Sequence, residues 1–313
     1  MNRTIAILAL ISASGLAFAQ TGGAAPQTPP QGQAQTQPAT GATAGQAPAG
    51  QAATPAPAPV GKRQPQAKTQ EEFKAYQDAA AKPDPATMEQ SADAFAKQFP
   101  ESELRAPLYQ TVMLQYQNAN NAEKVISSGR KSIELDPDNA VALVTVASTI
   151  AVKTRETDID KEERLAEVKK DAQRAIELMD SGKGVPANYT PDQAGQYKST
   201  ILAMAYGALG QAEFVNNNYA AAEQALRKST SFTNIQADPI TWFQLSLSLD
   251  RQQKYADAQQ AAEKCIQVAQ GHPVAKYCEQ ERDHAKQAAA NPPANKPAST
   301  SGPQTITPGP TTK

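Results

Sequence analysis

Residues 242–265, WFQLSLSLDRQQKYADAQQAAEKC, decide the fold, because they hold two helical patterns joined by a short polar turn. Large apolar residues recur at three- and four-residue spacing through Trp242, Leu245 and Leu249, which is the period of an amphipathic helix. A second pattern of the same period begins directly after the turn residues 252–254. The segment therefore predicts two antiparallel helices packed against each other as a hairpin.

Three earlier segments repeat this arrangement, and they open at Tyr109, Leu143 and Tyr206. Tyr109 and Leu143 are 34 residues apart, and Tyr206 and Trp242 are 36 residues apart. A recurrent interval of this length is typical of helical repeat proteins. Between Leu143 and Tyr206 the chain carries 29 residues more than one 34-residue interval, and we assign them to residues 151–163 and 181–200.

The four segments resemble the tetratricopeptide repeat (TPR), whose first helix carries an aromatic residue, a leucine and a small residue at fixed spacing. The resemblance implies that the small residues lie where the two helices of a hairpin approach closely, and that the aromatics fill gaps between helices. The small residues are Ala147, Gly210, Ser246, Ala222 and Ala258, and the aromatics are Tyr109, Tyr206 and Trp242. Met113 departs from the family pattern, since a small residue is expected there.

The predicted fold class is all-α, a TPR-like α-solenoid of antiparallel helix hairpins with a C-terminal capping helix. Residues 71–100 form a degenerate first hairpin, and residues 273–289 cap the last repeat, because a solenoid needs a final helix to cover its apolar end. The predicted helices span 71–81, 85–99, 103–119, 121–135, 139–154, 160–179, 192–216, 219–233, 239–252, 256–269 and 273–289.

Composition divides the chain of 313 residues into a foldable middle and two tails. Sixteen of the 17 aromatic residues lie between 70 and 289, whereas 15 of the 24 prolines lie in 20–69 or after 289. Aromatic side chains supply much of the buried area of a core, and segments without them stay disordered. We predict a repeat domain at 70–289, flanked by a disordered linker rich in Gln, Pro and Ala at 20–69 and a Pro-rich tail at 290–313.

Residues 1–19 have the pattern of a signal peptide, with Arg3, a short apolar run at 5–11 and an Ala-x-Ala site at residues 17–19. We expect cleavage after Ala19 and export of a bacterial type, with the mature protein periplasmic or secreted. The apolar run is too short for a stable transmembrane helix.

In the TPR family, the first helices of the pairs line a concave groove that receives a peptide or a helix. The candidate groove residues are Gln110, Leu114, Gln117, Asn118, Val144, Ser148, Gln211, Phe214, Phe243, Leu247, Asp250 and Arg251. They are mostly amides, hydroxyls and apolar side chains, and Arg251 is the single base among them. This composition favours an uncharged peptide or a partner helix over a terminal carboxylate.

The predicted function is a non-enzymatic protein-binding scaffold of the cell envelope, and the alternative is a structural adaptor of an envelope assembly complex. A net charge of −1 disfavours nucleic acid as a partner. No cofactor and no metal are expected: residues 153–164 lack the glycine of a calcium loop, and residues 181–184 lack a complete phosphate-binding motif. Cys265, His272, Cys278 and His284 lack the paired spacing of a zinc site and an orienting group for catalysis.

Cys265 and Cys278 are predicted to form a disulfide. They lie at similar distances from the turn at 271–272, so an antiparallel hairpin brings them to the same height. In the family, the position of Cys265 faces the next helix. The alternative is that both remain buried free thiols.

We expect limited proteolysis of the mature protein to leave a core of about 220 residues near 70–289, because Pro-rich segments without aromatics are cut first. Mass spectrometry of the fragments measures the boundaries. Early cleavage inside 100–250 with intact tails would overturn the domain assignment.

Overall fold

The computed structural model describes residues 61–291, and these residues fold into eleven α-helices, each within three residues of its predicted bounds. The all-α fold class is confirmed within this range. The predicted signal peptide 1–19, the linker up to residue 60 and the tail from residue 292 lie outside the described residues. The helices are α1 (Gln70–Ala80), α2 (Pro85–Gln98), α3 (Arg105–Asn118), α4 (Ala122–Leu135), α5 (Ala140–Lys153), α6 (Lys161–Asp180), α7 (Pro191–Val215), α8 (Tyr219–Thr230), α9 (Pro239–Asp250), α10 (Tyr255–Val268) and α11 (Ala275–Ala290).

Capping residues fix several helix starts, because their side chains satisfy N–H groups that the first turn leaves unpaired. Asp84 and Asp238 each precede a proline, and their carboxylates accept N–H groups from the first turns of α2 and α9. At α1, Thr69 accepts the N–H of Glu72 at 3.1 Å. The Glu72 carboxylate in turn accepts the N–H of Lys68, the residue before Thr69, at 2.6 Å.

Consecutive helices pack as pairs, and the pairs stack on one another. α3 packs on α4, α5 on α6, α7 on α8 and α9 on α10, which are the four predicted repeats. Each first helix also contacts the second helix of the preceding pair, so that α5 meets α4, α7 meets α6 and α9 meets α8. The α1–α2 hairpin precedes the repeats, and α11 packs on both α10 and α9. This order of nearest-neighbour contacts is that of a TPR-like α-solenoid.

The turns inside three of the hairpins share one backbone geometry. Asn120, Asn217 and Gln253 follow α3, α7 and α9, and all three have a left-handed φ between 55° and 61°. The next residue in each turn donates its N–H to a carbonyl five residues earlier, at 2.9–3.0 Å. This is a Schellman helix end. Because it recurs at equivalent positions of three hairpins, these hairpins are copies of one structural unit.

Small residues set how closely the two helices of each hairpin approach. The predicted positions Ala147, Ser246, Ala222 and Ala258 are all fully buried. At Gly210 of α7 a methyl group would lie 2.5 Å from Cγ of Leu226 and 3.3 Å from its backbone nitrogen on α8. The helix contact therefore leaves no room for a side chain at this position.

Met113 shows how the structure compensates for the departure from the family pattern. It stands on α3 where a small residue is expected, and it is fully buried. Across the hairpin, α4 carries Gly129, where a methyl group would lie 2.9 Å from the Met113 sulfur. The small residue has moved to the partner helix, so the hairpin keeps a close contact.

Residues 61–69, which the sequence assigns to the linker, lie against the repeat domain. Lys62 donates its N–H to Val185 at 2.7 Å and accepts the N–H of Ala187 at 2.9 Å, in the loop between α6 and α7. Its ammonium group also reaches Asp136, at 2.5 Å, and the carbonyl of Asp138. The amino-acid composition of the linker could not predict this pairing, because the pairing uses the backbone of Lys62 and a single charge.

Among residues 61–291, none of the helices is both long and apolar enough to cross a bilayer.

Two glycines of α7 are expected to respond oppositely to alanine. Gly210→Ala destabilises the protein by about 1–3 kcal/mol, because the added methyl group overpacks the contact with Leu226. Gly195→Ala stabilises it by up to about 1 kcal/mol, because that position has open space and alanine favours a helix. Urea unfolding followed by circular dichroism measures both, and equal effects of the two changes would contradict the predicted helix contact.

Candidate protein-interaction surface

Four side chains occupy equivalent positions on the first helices, five residues after the residue that opens each copy. They are Leu114, Ser148, Gln211 and Leu247. All four are half-buried, although their helices differ greatly in how much neighbouring structure covers them. Equivalent positions of stacked repeats lie side by side. We therefore call these four residues the first-helix row, and its members are partly open to solvent in every copy.

Val144, predicted to line the groove, does not do so, because it is fully buried. Its helix, α5, contacts α3, α4, α6 and α7, and ten of its 14 residues are buried. The extended α7 covers a face of α5 that a shorter repeat helix would leave free. In this copy, only Ser148 of the two predicted groove residues remains accessible.

Three further predicted groove residues turn toward neighbouring helices. Phe214 makes an edge contact with Tyr219, with ring centroids 5.4 Å apart, and packs on the core between α8 and α9. Phe243 lies 6.3 Å from the ring of Tyr277 on α11. Asp250 faces His284, also on α11, at 3.1 Å. The capping helix therefore covers part of α9 as well as α10, which the sequence did not predict.

The other predicted residues flank the first-helix row. Gln110 and Gln117 on α3 are half-buried, one turn to either side of Leu114. Asn118 and Arg251 are exposed at the ends of α3 and α9. Their side chains present amides and a single guanidinium group, and they do not form a patch of one charge.

An open cleft of about 920 Å³ lies between the α3–α4 turn and the connection from α5 to α6. The sequence marked this connection only as a charged helix start with extra residues. Ile159, at its centre, lines the cleft and is completely exposed. The sequence analysis did not identify Ile159, and the signal that could have done so is a large apolar residue among charged neighbours. The lining residues are Ala119, Asn120, Asn121, Ala122, Glu123, Ile126, Lys153, Arg155, Thr157, Asp158, Ile159, Asp160 and Arg164.

Two acidic residues of the cleft, Asp158 and Asp160, already have partners. Asp158 accepts the backbone N–H of Arg155 at 2.9 Å, and Asp160 pairs with Arg164 at 2.6 Å. Glu156, outside the cleft, accepts a hydrogen bond from Asn217 in the α7–α8 turn at 2.7 Å. These contacts hold the connection in place beneath Ile159.

A polar network fixes the first hairpin to the repeats. Tyr109 donates its hydroxyl to Asp93 at 2.6 Å, and Tyr116 donates to Glu89 at 2.7 Å. Burial and the neighbouring Glu89 raise the pKa of Tyr116 to about 12. Lys131 lies 2.8 Å from Asp93 and 4.9 Å from the Tyr109 ring centre. Tyr109 thus fills a gap between helices, as predicted, with its hydroxyl group satisfied.

Cys265 of α10 and Cys278 of α11 are joined in a disulfide, with Cα atoms 5.9 Å apart. Both are fully buried and pack with Ala269 and Val274 in a small apolar cluster. The two cysteines are 13 residues apart in sequence. A crosslink that closes such a loop stabilises a protein mainly by restricting its unfolded chain. The bond therefore holds the last helix on the last repeat.

Asp171 is a buried acid on α6 that the sequence did not single out. It is 5% exposed, and burial, with a smaller contribution from Glu167, raises its pKa to about 6. The nearby Arg130 pairs with Glu167 at 2.6 Å, so it only partly offsets this effect. An ionised Asp171 is therefore a source of instability at neutral pH.

Asp171→Asn is expected to stabilise the protein at pH 7 by about 1–3 kcal/mol, because the folded state no longer holds a buried charge. The folded pKa of Asp171 lies above its unfolded value, so the parent protein gains stability from this group as pH falls from about 6 to about 4. The variant lacks that gain. Urea unfolding at both pH values measures the difference.

Asp180→Asn, at an exposed position of the same helix, is the matched control and is expected to change stability by less than about 0.5 kcal/mol. The same pH dependence in the parent protein and the Asp171 variant would contradict the assignment.

Comparisons with known proteins find no match in sequence and a similarity in structure. No family model matches the chain, and no curated protein matches it in sequence. Among solved structures, the crystal structure of the MamA protein is similar, with 17% identity and a TM-score of 0.35; the match covers 61% of this chain and 98% of that one. The TPR-like architecture is evident from the order in which the helices pack as hairpins.

Proposed function

We propose that the protein is a non-enzymatic scaffold that binds a peptide or a partner helix along the first helices of its repeats. The observation that carries the proposal is the first-helix row, which stays partly open in all four copies. Core positions of a solenoid are covered by the next hairpin. A position that escapes this cover in every copy is available to a partner.

The chemistry of the row favours an uncharged partner. Leu114 and Leu247 offer apolar contact, while Ser148 and Gln211 offer a hydroxyl group and an amide. An amide both donates and accepts hydrogen bonds, so it can pair with the backbone of an extended peptide. A partner helix would instead use the apolar members. Recognition of a terminal carboxylate is disfavoured, since Arg251 is the single base among the predicted groove residues.

Ile159 provides a second contact point in the same proposal. It lines the cleft beside the α3–α4 turn. This turn directly follows α3, the helix that carries Gln117 and Asn118. A partner that follows α3 toward its C-terminal end would reach this exposed side chain. Its burial there would remove a large apolar surface from water.

The candidate nucleophile and bases have structural contacts, which supports a scaffold over an enzyme. Cys265 is held in the disulfide. His272 accepts the backbone N–H of Val274 at 3.1 Å, and so it fixes the start of α11. His284 lies next to Asp250, with its Nδ1 atom 3.1 Å from the carboxylate.

We also propose that the protein acts after export, in the periplasm or outside the cell. The signal-peptide pattern at 1–19 supports this location. The disulfide supports it independently, because such bonds persist in oxidising compartments and are rare in the cytosol. The alternative role, a structural adaptor of an envelope complex, differs in giving a permanent, stoichiometric association.

Photo-crosslinking tests the binding surface. A benzophenone amino acid placed at Ser148 or Gln211 is expected to crosslink the same partner protein in the envelope of the source cells. The reason is that both positions belong to the first-helix row. Gel electrophoresis and mass spectrometry identify the products, and co-purification of the same partner at 1:1 stoichiometry without crosslinking indicates the adaptor role.

The matched controls carry the same amino acid at Gln224 and Gln260, which are exposed on the second helices α8 and α10. These positions are expected to give no such product. Equal crosslinking from both helix sets, or from neither, would refute the proposed surface.

A further inference from the structure

Asp250, Glu281 and His284 converge where the end of α9 meets α11. One ligand atom of each residue lies within 4.8 Å of the other two. Glu281 and His284 are three residues apart on α11, so their side chains share one face of the helix. Asp250, the last residue of α9, approaches this face with its Oδ1 atom 3.1 Å from Nδ1 of His284.

Two oxygen atoms of the cluster are buried and accept no hydrogen bond within the described chain. They are Oδ1 of Asp250 and Oε1 of Glu281. Glu281 as a whole is only 9% exposed. Arg251 follows Asp250 in sequence and is exposed, and its charge acts on Glu281 without a hydrogen bond to either of these two oxygen atoms among residues 61–291. Buried carboxylate oxygens left without donors are costly, so a cation in direct contact with these two atoms would stabilise the arrangement.

The contact between His284 and Asp250 brings an imidazole nitrogen to the same place as the two buried oxygen atoms. With Nδ1 unprotonated, a nitrogen lone pair would face a carboxylate oxygen at 3.1 Å, and this contact is repulsive. A proton on Nδ1 would relieve that pair but would leave Glu281 unpartnered. A cation between the three residues satisfies all of them together.

We propose that Asp250, Glu281 and His284 bind a divalent transition-metal ion of the zinc class. Zinc binds both imidazole nitrogen and carboxylate oxygen atoms, whereas calcium and magnesium prefer sites built from oxygen alone. Bonds of about 2.0 Å at tetrahedral angles separate neighbouring ligand atoms by about 3.3 Å. The nitrogen–oxygen distance of 3.1 Å already fits this value.

The exposed position of His284 completes the site. Its side chain is 59% exposed, so it can turn toward the more buried Glu281 without disturbing the core. The same exposure leaves water free to occupy the fourth position. The ion would connect α9 directly to α11, one turn beyond the disulfide that connects α10 to α11.

Zinc chloride titrated into the full mature protein, freed of metal by a chelator and carrying no histidine tag, tests the site. Isothermal titration calorimetry is expected to show saturable binding of one ion per chain. The melting temperature is expected to rise with zinc concentration, because the ion binds the folded state. The disulfide is kept oxidised, and its integrity is checked by thiol counting, so that Cys265 and Cys278 cannot act as ligands.

Glu281→Gln and His284→Ala are expected to abolish this binding and the rise in melting temperature. Glu279→Gln, the same substitution at an exposed position of α11, and His272→Ala retain both. Glu281→Gln preserves the side-chain volume and removes an unpartnered charge, so it is expected to fold at least as well as the parent. Absence of saturable binding, or binding unchanged in the Glu281 and His284 variants, would overturn the proposal.

Discussion

The close approach of two helices within each hairpin is the constraint on which the rest of the structure depends. At Gly210 the distance to Leu226 leaves no space for a methyl group, and at Gly129 the Met113 sulfur takes the corresponding space. Tight contact buries apolar area although alanine supplies many of the core residues. If these contacts opened, the stacked faces of neighbouring hairpins would no longer match, because each helix of a solenoid serves two interfaces.

Much of the fold follows from local sequence, since helices, caps and turns depend on neighbouring residues. The proline after Asp84 or Asp238 and the polar turns at 118–121, 216–218 and 252–254 mark the helix bounds directly. The Met113–Gly129 exchange was only half visible. The sequence showed the large residue on one helix, but the compensating glycine is recognised only when the two helices are placed together.

The candidate surface was less predictable, because accessibility depends on what covers a residue. The register of the repeats correctly located Leu114, Ser148, Gln211 and Leu247 on equivalent positions that remain partly open. The prediction that Val144 is accessible was wrong, because Val144 is fully buried. The 25-residue helix α7 is longer than a repeat helix, and the repeat period alone does not show what its extra length covers. The cleft beneath Ile159 and the meeting of α9 with α11 both arise from elements far apart in sequence.

The backbone pairing of Lys62 with Val185 and Ala187 determines where a force on the N-terminal side of the chain enters the fold. A pull applied upstream of Gly61 would first load this pairing and the Lys62–Asp136 contact, before it reached α1. Tension would thus enter the solenoid at the α6–α7 loop, near its middle, and not at its first hairpin. The α1–α3 region is thereby shielded from strain carried by the N-terminal segment.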